Sequence, residues 1–286
     1  MTAHEETTSS GVRATAVSPM TRRRIATATV LGALAIVAWL ASVNQMRGMG
    51  MDDRFSVGSF GFFVGLWVVM MAAMMFPSVW PTLSLYGMIM RNRATNGARA
   101  GIASAAFVGG YLASWTAYGL AAFGVLEIAS RAGLGGLSES DLARYVVAPV
   151  ALAAALYQLA PLKQACLRHC RGPFSFLLAH WRDGLGGAVR MGAIHGGYCV
   201  GCCWMLMLVL LSVGLMSITW MAIVAIAIAV EKLTPTRSTW LPSTLLGVGL
   251  AALGFVALIR PTLLPGVHGM GGGMQDKAPA MQSTMK

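Results

Sequence analysis

Three cysteines and a histidine fall within nine residues of one apolar stretch, His195-Gly-Gly-Tyr-Cys199-Val-Gly-Cys202-Cys203. At about 100° per residue in a helix, Cys199 lies about 40° from His195, Cys202 about −20° and Cys203 about 80°, so one face carries all four. A second apolar stretch holds Met70, Met71, Met74 and Met75. Measured from Trp67 these fall at about −60°, 40°, −20° and 80°, again a single stripe. Thiolate and thioether are the ligands that select monovalent copper, and imidazole suits copper or zinc. Ionisable groups inside apolar segments are costly and mark function. Met70, Met71, Met74, Met75, His195, Cys199, Cys202 and Cys203 therefore form a candidate metal site at one depth, with Cu(I) the favoured ion and zinc the less favoured.

A second constellation is Cys166 and Cys170, four residues apart with His169 between them in a basic segment. In a reducing compartment these stay thiols and could accept or donate a soft metal as a secondary site. Met46, Met49 and Met51, with His268, Met270, Met274, Met281 and Met285 of the tail, could capture copper on the opposite side. Each pattern also has a plainer reading. Cysteine packs as a small hydrophobe, methionine fills irregular gaps, and His195 could be held by a backbone carbonyl. The helical Cys-x-x-Cys-Cys preceded by His is the more specific signal, and a methionine stripe alone is weak.

The elements that must position these residues are apolar. Of 286 residues, 56% are hydrophobic and 11% charged, against about 25% charged in an ordinary soluble domain. The apolar runs reach about 20 residues and lack strand alternation, so the expected fold is all-α, a polytopic transmembrane bundle of about seven helices. Expected spans are about 25–45, 57–80, 101–128, 142–162, 191–215, 219–231 and 240–259, with Pro77 and Pro81 bending or ending the second. Residues 1–24 read as a disordered cytoplasmic segment and 261–286 as a flexible Met/Gly-rich tail, with a basic loop from Lys163 to Arg190. The basic flank of the first apolar run resembles a signal peptide, but its length suits an uncleaved span better. Gly192 with Gly196, Gly197 with Gly201, and Gly61 with Gly65 are Gly-x-x-x-Gly pairs that let helices approach closely.

The net charge of +11 sits at the ends of apolar runs, which argues for topology and against nucleic-acid binding. With the N-terminus inside, one face receives Arg13, Arg22, Arg23, Arg24, Arg91, Arg93, Arg99, Lys163, Arg168, Arg171, Arg182, Arg190, Lys232 and Arg237, fourteen of the 21 basic residues. The positive-inside rule then gives N-in and C-out. Trp80, Trp220 and Trp240 fall near expected span ends, and Glu127 and Glu231 read as interfacial.

Three stretches carry a family resemblance: Met70-Met-Ala-Ala-Met-Met-Phe-Pro-Ser78; Tyr157-Gln-Leu-Ala-Pro-Leu-Lys163 with Cys166 and Cys170; and His195 to Trp204. Over about residues 55–260 the chain resembles an uncharacterised bacterial family of predicted metal-binding integral membrane proteins. The resemblance implies metal binding, with copper handling favoured, and supplies no mechanism.

The leading expectation is a multi-pass protein of the bacterial inner membrane that handles Cu(I) by transport, delivery or metalloprotein assembly, and is not an enzyme. Its partners would be the lipid bilayer, the metal ion and a periplasmic or membrane metallochaperone, and a homo-oligomer is compatible with the sequence. One alternative is a membrane thiol–disulfide oxidoreductase using Cys199 with Cys202 or Cys203. Another is a structural or assembly subunit whose sulfur is filler.

Overall fold

The computed structural model describes residues 19–48, 60–93, 97–131, 139–213, 218–234 and 240–260. Residues 1–18, the first connection with Met49 and Met51, and the tail from 261 onward lie outside this description. Among the described residues the chain is all-α, with no strand.

Helix α1 (Pro19–Gly48) opens ahead of the expected start near 25 and packs along α2 (Phe60–Arg93). Pro77 and Pro81 were expected to bend or end the second span, yet α2 continues through both to Arg93. Each proline removes one backbone donor, but Val79, Thr82, Leu83 and Tyr86 beyond them are buried. Unwinding there would expose that face, which costs more than the two lost hydrogen bonds. Trp80 consequently lies inside α2, with its indole nitrogen buried, and not at a helix end.

Helix α3 (Gly97–Arg131) runs along α8 (Gly184–Val213) in the most extensive helix contact of the fold. Glycines make the approach. A Cβ at Gly192 would collide with the carbonyl of Phe107, and one at Gly110 with the carbonyl of Val189. At Gly196 it would stand 2.8 Å from the carbonyl oxygen of Tyr111. The backbones therefore touch, as small residues permit.

The expected fourth span is interrupted. A short α4 (Glu139–Leu142) passes through a π-helical turn (Ala143–Val147) into α5 (Ala148–Gln158), which breaks before α6 (Pro161–Arg171) with a 66° bend. Ala160 is extended (φ −66°, ψ 136°), as the residue before a proline prefers. The expected basic loop 163–190 is instead α6, then α7 (Pro173–His180), then the first turns of α8. Each of the two short helices starts on a proline at its first turn, a favoured position. Gly184, with φ +81°, makes the left-handed turn into α8.

Helix α9 (Ile218–Leu233) and α10 (Trp240–Ile259) complete the described chain, with α10 packed on α5. Four helices are long and apolar enough to cross a membrane: Ile25–Asn44, Phe63–Arg93, Gly184–Val213 and Trp240–Ile259. A fifth is added if the bent α5–α6 pair counts as one span. Of the seven expected spans, the third and sixth fall short of that standard. α3 is diluted by glycine, serine, threonine and tyrosine along its 35 residues, and α9 has only 16 residues.

Polarity is inverted relative to a water-soluble bundle. Val30, Leu34, Ile36, Val37 and Leu40 of α1 are exposed, as are Leu241, Leu245, Val248 and Phe255 of α10. Lys163, Glu231 and Lys232 are buried.

Candidate metal centre

The cysteine face of α8 points into the bundle: His195, Cys199, Cys202 and Cys203 are each at most 2% exposed. The thiols of Cys202 and Cys203 donate to the carbonyl oxygen of Cys199, at 3.1 and 2.9 Å. These bonds hold both side chains against their own helix and leave the Cys199 sulfur projecting outward.

Three elements converge on that sulfur. From α3 the Tyr111 hydroxyl lies 3.0 Å away, brought there by the glycine-mediated contact between α3 and α8. From α9 the Lys232 ammonium donates to it at 2.8 Å. From α2 the Met75 thioether stands 4.0 Å off. Met75 thus brings the methionine stripe to Cys199. Met70 and Met71 are buried in the surrounding core. Met74 turns toward a recess of about 410 Å³ that it lines with Trp39, Pro77, Ala222 and Ala225.

The second constellation does not stand apart. Cys170 is buried on the inward face of α6 with Lys163 and Leu167, and its sulfur lies 4.0 Å from that of Cys202. The expected secondary site therefore divides. Cys170 joins the main cluster, Cys166 packs against α8 at Gly201 (a Cβ there would sit 2.8 Å from the Cys166 sulfur), and His169 stacks on Tyr198 at 4.3 Å. His169 is exposed and bonded through Nδ1 to the carbonyl of Ala165 at 2.9 Å.

His195 occupies an aromatic surround one turn from Cys199, with ring centroids of Phe176, Tyr111 and Phe107 at 4.8, 6.0 and 6.1 Å. Its Nδ1 is buried without a hydrogen-bond partner.

Glu231 was expected at an interface and instead accepts from Lys163 at 2.6 Å and from Ser243 at 2.9 Å, all three side chains buried. Arg171 donates to the Glu231 backbone carbonyl. This knot fixes the end of α9 against α6 and α10, and so fixes Lys232 beside Cys199. Lys163 and Lys232 were among the charges assigned to inner loops, and both lie inside the bundle. Sequence reasoning missed Lys232, Lys163 and Tyr111. The available signal was a Glu-Lys pair at the end of a short apolar helix.

The donor set is soft: Cys199, Cys202, Cys170 and Met75, with Cys203 one position along α8. Two sulfurs 4.0 Å apart can both reach one ion bound about 2.3 Å from each, and both Met75–Cys199 and Cys170–Cys202 have that separation. No group of three or more His, Cys, Asp or Glu residues among the described residues has the arrangement of a metal-holding cluster. The sulfurs instead lie in series across α2, α8 and α6. Such a series suits an ion taken with few soft ligands, where a hard ion demands many oxygens.

No curated protein and no solved structure matches the chain. A protein-family model described as a copper chaperone, PpoB2, matches residues 64–257. That segment begins in α2, ends in α10 and contains every cysteine. The chain belongs to the PpoB2 copper chaperone family.

Proposed function

We propose that the protein is a multi-pass component of the bacterial inner membrane that holds Cu(I) as cargo at a buried sulfur site and delivers it to a partner. The observation that carries this reading is the approach of Met75, Cys170 and Lys232 to the Cys199–Cys202 segment from three other helices. A buried sulfur cluster assembled from separate elements favours a soft monovalent ion over a hard one. The copper chaperone description of the family supports the choice of cargo.

Membrane insertion rests on the four long apolar helices and the exposed aliphatic surfaces of α1 and α10. The remaining crossings would be the bent α5–α6 pair, α3 and α9, giving seven. At about 1.5 Å per residue, the 35 residues of α3 exceed the bilayer core, and Ser114 donates across to the Ala193 carbonyl of α8. The 16 residues of α9 span only about 24 Å, short of the roughly 30 Å core, and so leave Glu231 and Lys232 inside. The orientation is N-in and C-out. Without Lys163 and Lys232, twelve basic residues remain on the inner face against seven on the outer.

The protein acts by binding and handing on, with no catalytic step. Cys166, half-buried beside Gly201, would serve as a stage in the transfer. The outer methionines would load the site, and a periplasmic or membrane metallochaperone would exchange copper with it.

The test is anaerobic Cu(I) titration of the detergent-purified protein against a competing chelator, with and without Cys199→Ser and Cys202→Ser together. The double variant should lose more than the roughly 10–100-fold that removal of a supporting partner costs. Unchanged stoichiometry and affinity would overturn the site.

The Cys170–Cys202 approach favours one second reading, a thiol–disulfide exchanger whose pair joins α6 to α8 and is not Cys199–Cys202. Thiol trapping in growing cells separates the two. A standing Cys170–Cys202 disulfide supports exchange, and persistent thiols support the copper site.

A further inference from the structure

The buried charges among the described residues do not cancel. Among the described residues, Lys163, Glu231 and Lys232 are the buried lysine and carboxylate side chains. Lys163 and Glu231 neutralise each other across 2.6 Å. Lys232 is left, and the side-chain group it touches is the Cys199 sulfur at 2.8 Å. An ammonium so placed, away from water, is expensive unless matched by a negative charge.

Metal binding requires thiolates. Cys199 and Cys202, holding a monovalent ion as two thiolates, carry one net negative charge, which the Lys232 ammonium beside Cys199 cancels. A divalent ion on the same two thiolates is already neutral and leaves the ammonium uncompensated. Softness cannot make this distinction, because silver and cadmium are both thiophilic. Charge can.

We infer that Lys232 is the built-in counter-charge of the site and makes it selective for monovalent over divalent thiophilic ions. The inference rests on the copper reading above and adds to it the physical basis of selectivity. Lys232 acts through Cys199 and is a specificity-determining residue, not a ligand. Its position is held independently of any metal, because the neighbouring Glu231 is anchored by Lys163, Ser243 and, through its carbonyl, Arg171. The helix end that carries the ammonium is therefore fixed before an ion arrives.

The test compares Ag(I) and Cd(II), soft ions of different charge, as competitors for Cu(I) bound anaerobically to the full chain. On the unaltered protein Ag(I) displaces Cu(I), and Cd(II) at the same concentration does not. Lys232→Leu removes the charge and adds no sulfur ligand. It should move the ratio of Ag(I) to Cd(II) affinity toward Cd(II) by roughly tenfold or more, the size expected for loss of a supporting partner. Lys232→Arg, which keeps the charge, should hold the original order. A merely structural lysine would weaken both ions together and leave the ratio unchanged, and that result overturns the inference. If Lys232→Leu does not accumulate, the competition on the unaltered chain decides: displacement of Cu(I) by equimolar Cd(II) overturns it. Failure of the unaltered chain to bind Cu(I) at all overturns the copper reading itself, whereas Cu(I) binding with an unshifted ratio overturns only the role of Lys232.

Discussion

The sulfurs of Cys170 and Cys202 lie 4.0 Å apart although the residues are 32 positions apart in the chain. This contact joins α6, a short helix beyond a 66° break, to the cysteine face of α8. It makes Cys170 part of the buried cluster, while Cys166, one turn earlier on α6, packs at Gly201.

The two α6 cysteines should therefore behave differently. Cys170→Ser is expected to weaken Cu(I) binding by about tenfold or more, within the range seen when a metal site loses a supporting partner. Cys166→Ser should leave equilibrium affinity nearly unchanged and slow the transfer of copper to an acceptor. Chelator competition measures the first, and stopped-flow transfer the second. Equal affinity losses for the two variants would show that α6 contributes no preferred thiol.

The α3–α8 contact should tolerate no added methyl. Gly192→Ala and Gly110→Ala each place a Cβ against a backbone carbonyl of the facing helix, where neither side can yield easily. Overpacking of this kind costs about 1–3 kcal/mol, and it should also draw Tyr111 away from Cys199. Gly197→Ala, with open space around the new atom, is the control and should be neutral or slightly stabilising, since alanine favours helix over glycine. Thermal unfolding in detergent measures all three, and a Gly192→Ala variant as stable as Gly197→Ala would contradict the close approach.

The Lys163–Glu231 pair is sealed, with side chains 0% and 4% exposed. Removing one partner strands a buried charge. Lys163→Met or Glu231→Leu alone should therefore destabilise by about 3–5 kcal/mol. The double change Lys163→Met with Glu231→Leu should recover most of that loss, because a buried pair replaced by apolar groups is often close to neutral. Double-mutant unfolding measures the coupling, and additive losses would place the pair in contact with water.

Periodicity made part of this site legible. The spacing 195–199–202–203 put four side chains on one face, and those four are buried together. The same rule put four methionines on one face of α2, yet Met75 meets Cys199 and Met74 faces a recess beside α9. A stripe defines which way a helix faces; it does not define its depth against a particular neighbour. Lys163 and Lys232 were misplaced for a related reason. A charge at the end of an apolar run reads as a loop residue, and only the break at Pro161 and the shortness of α9 bring both inside. Pro77 and Pro81 carried a strong local signal to stop, which burial of Val79, Leu83 and Tyr86 outweighed. Tyr111 gave no signal, because its importance comes from the backbone approach at Gly192 and Gly196.

The central claim is that copper, when bound, is held by sulfur inside the bundle. X-ray absorption at the copper edge of the Cu(I)-loaded full chain tests it most directly. The account predicts an inner coordination shell of two or three sulfurs, lost or depleted in Cys199→Ser with Cys202→Ser and unaltered by removal of residues 261–286. A shell of nitrogen and oxygen alone, or a sulfur shell indifferent to both cysteine substitutions, would contradict it.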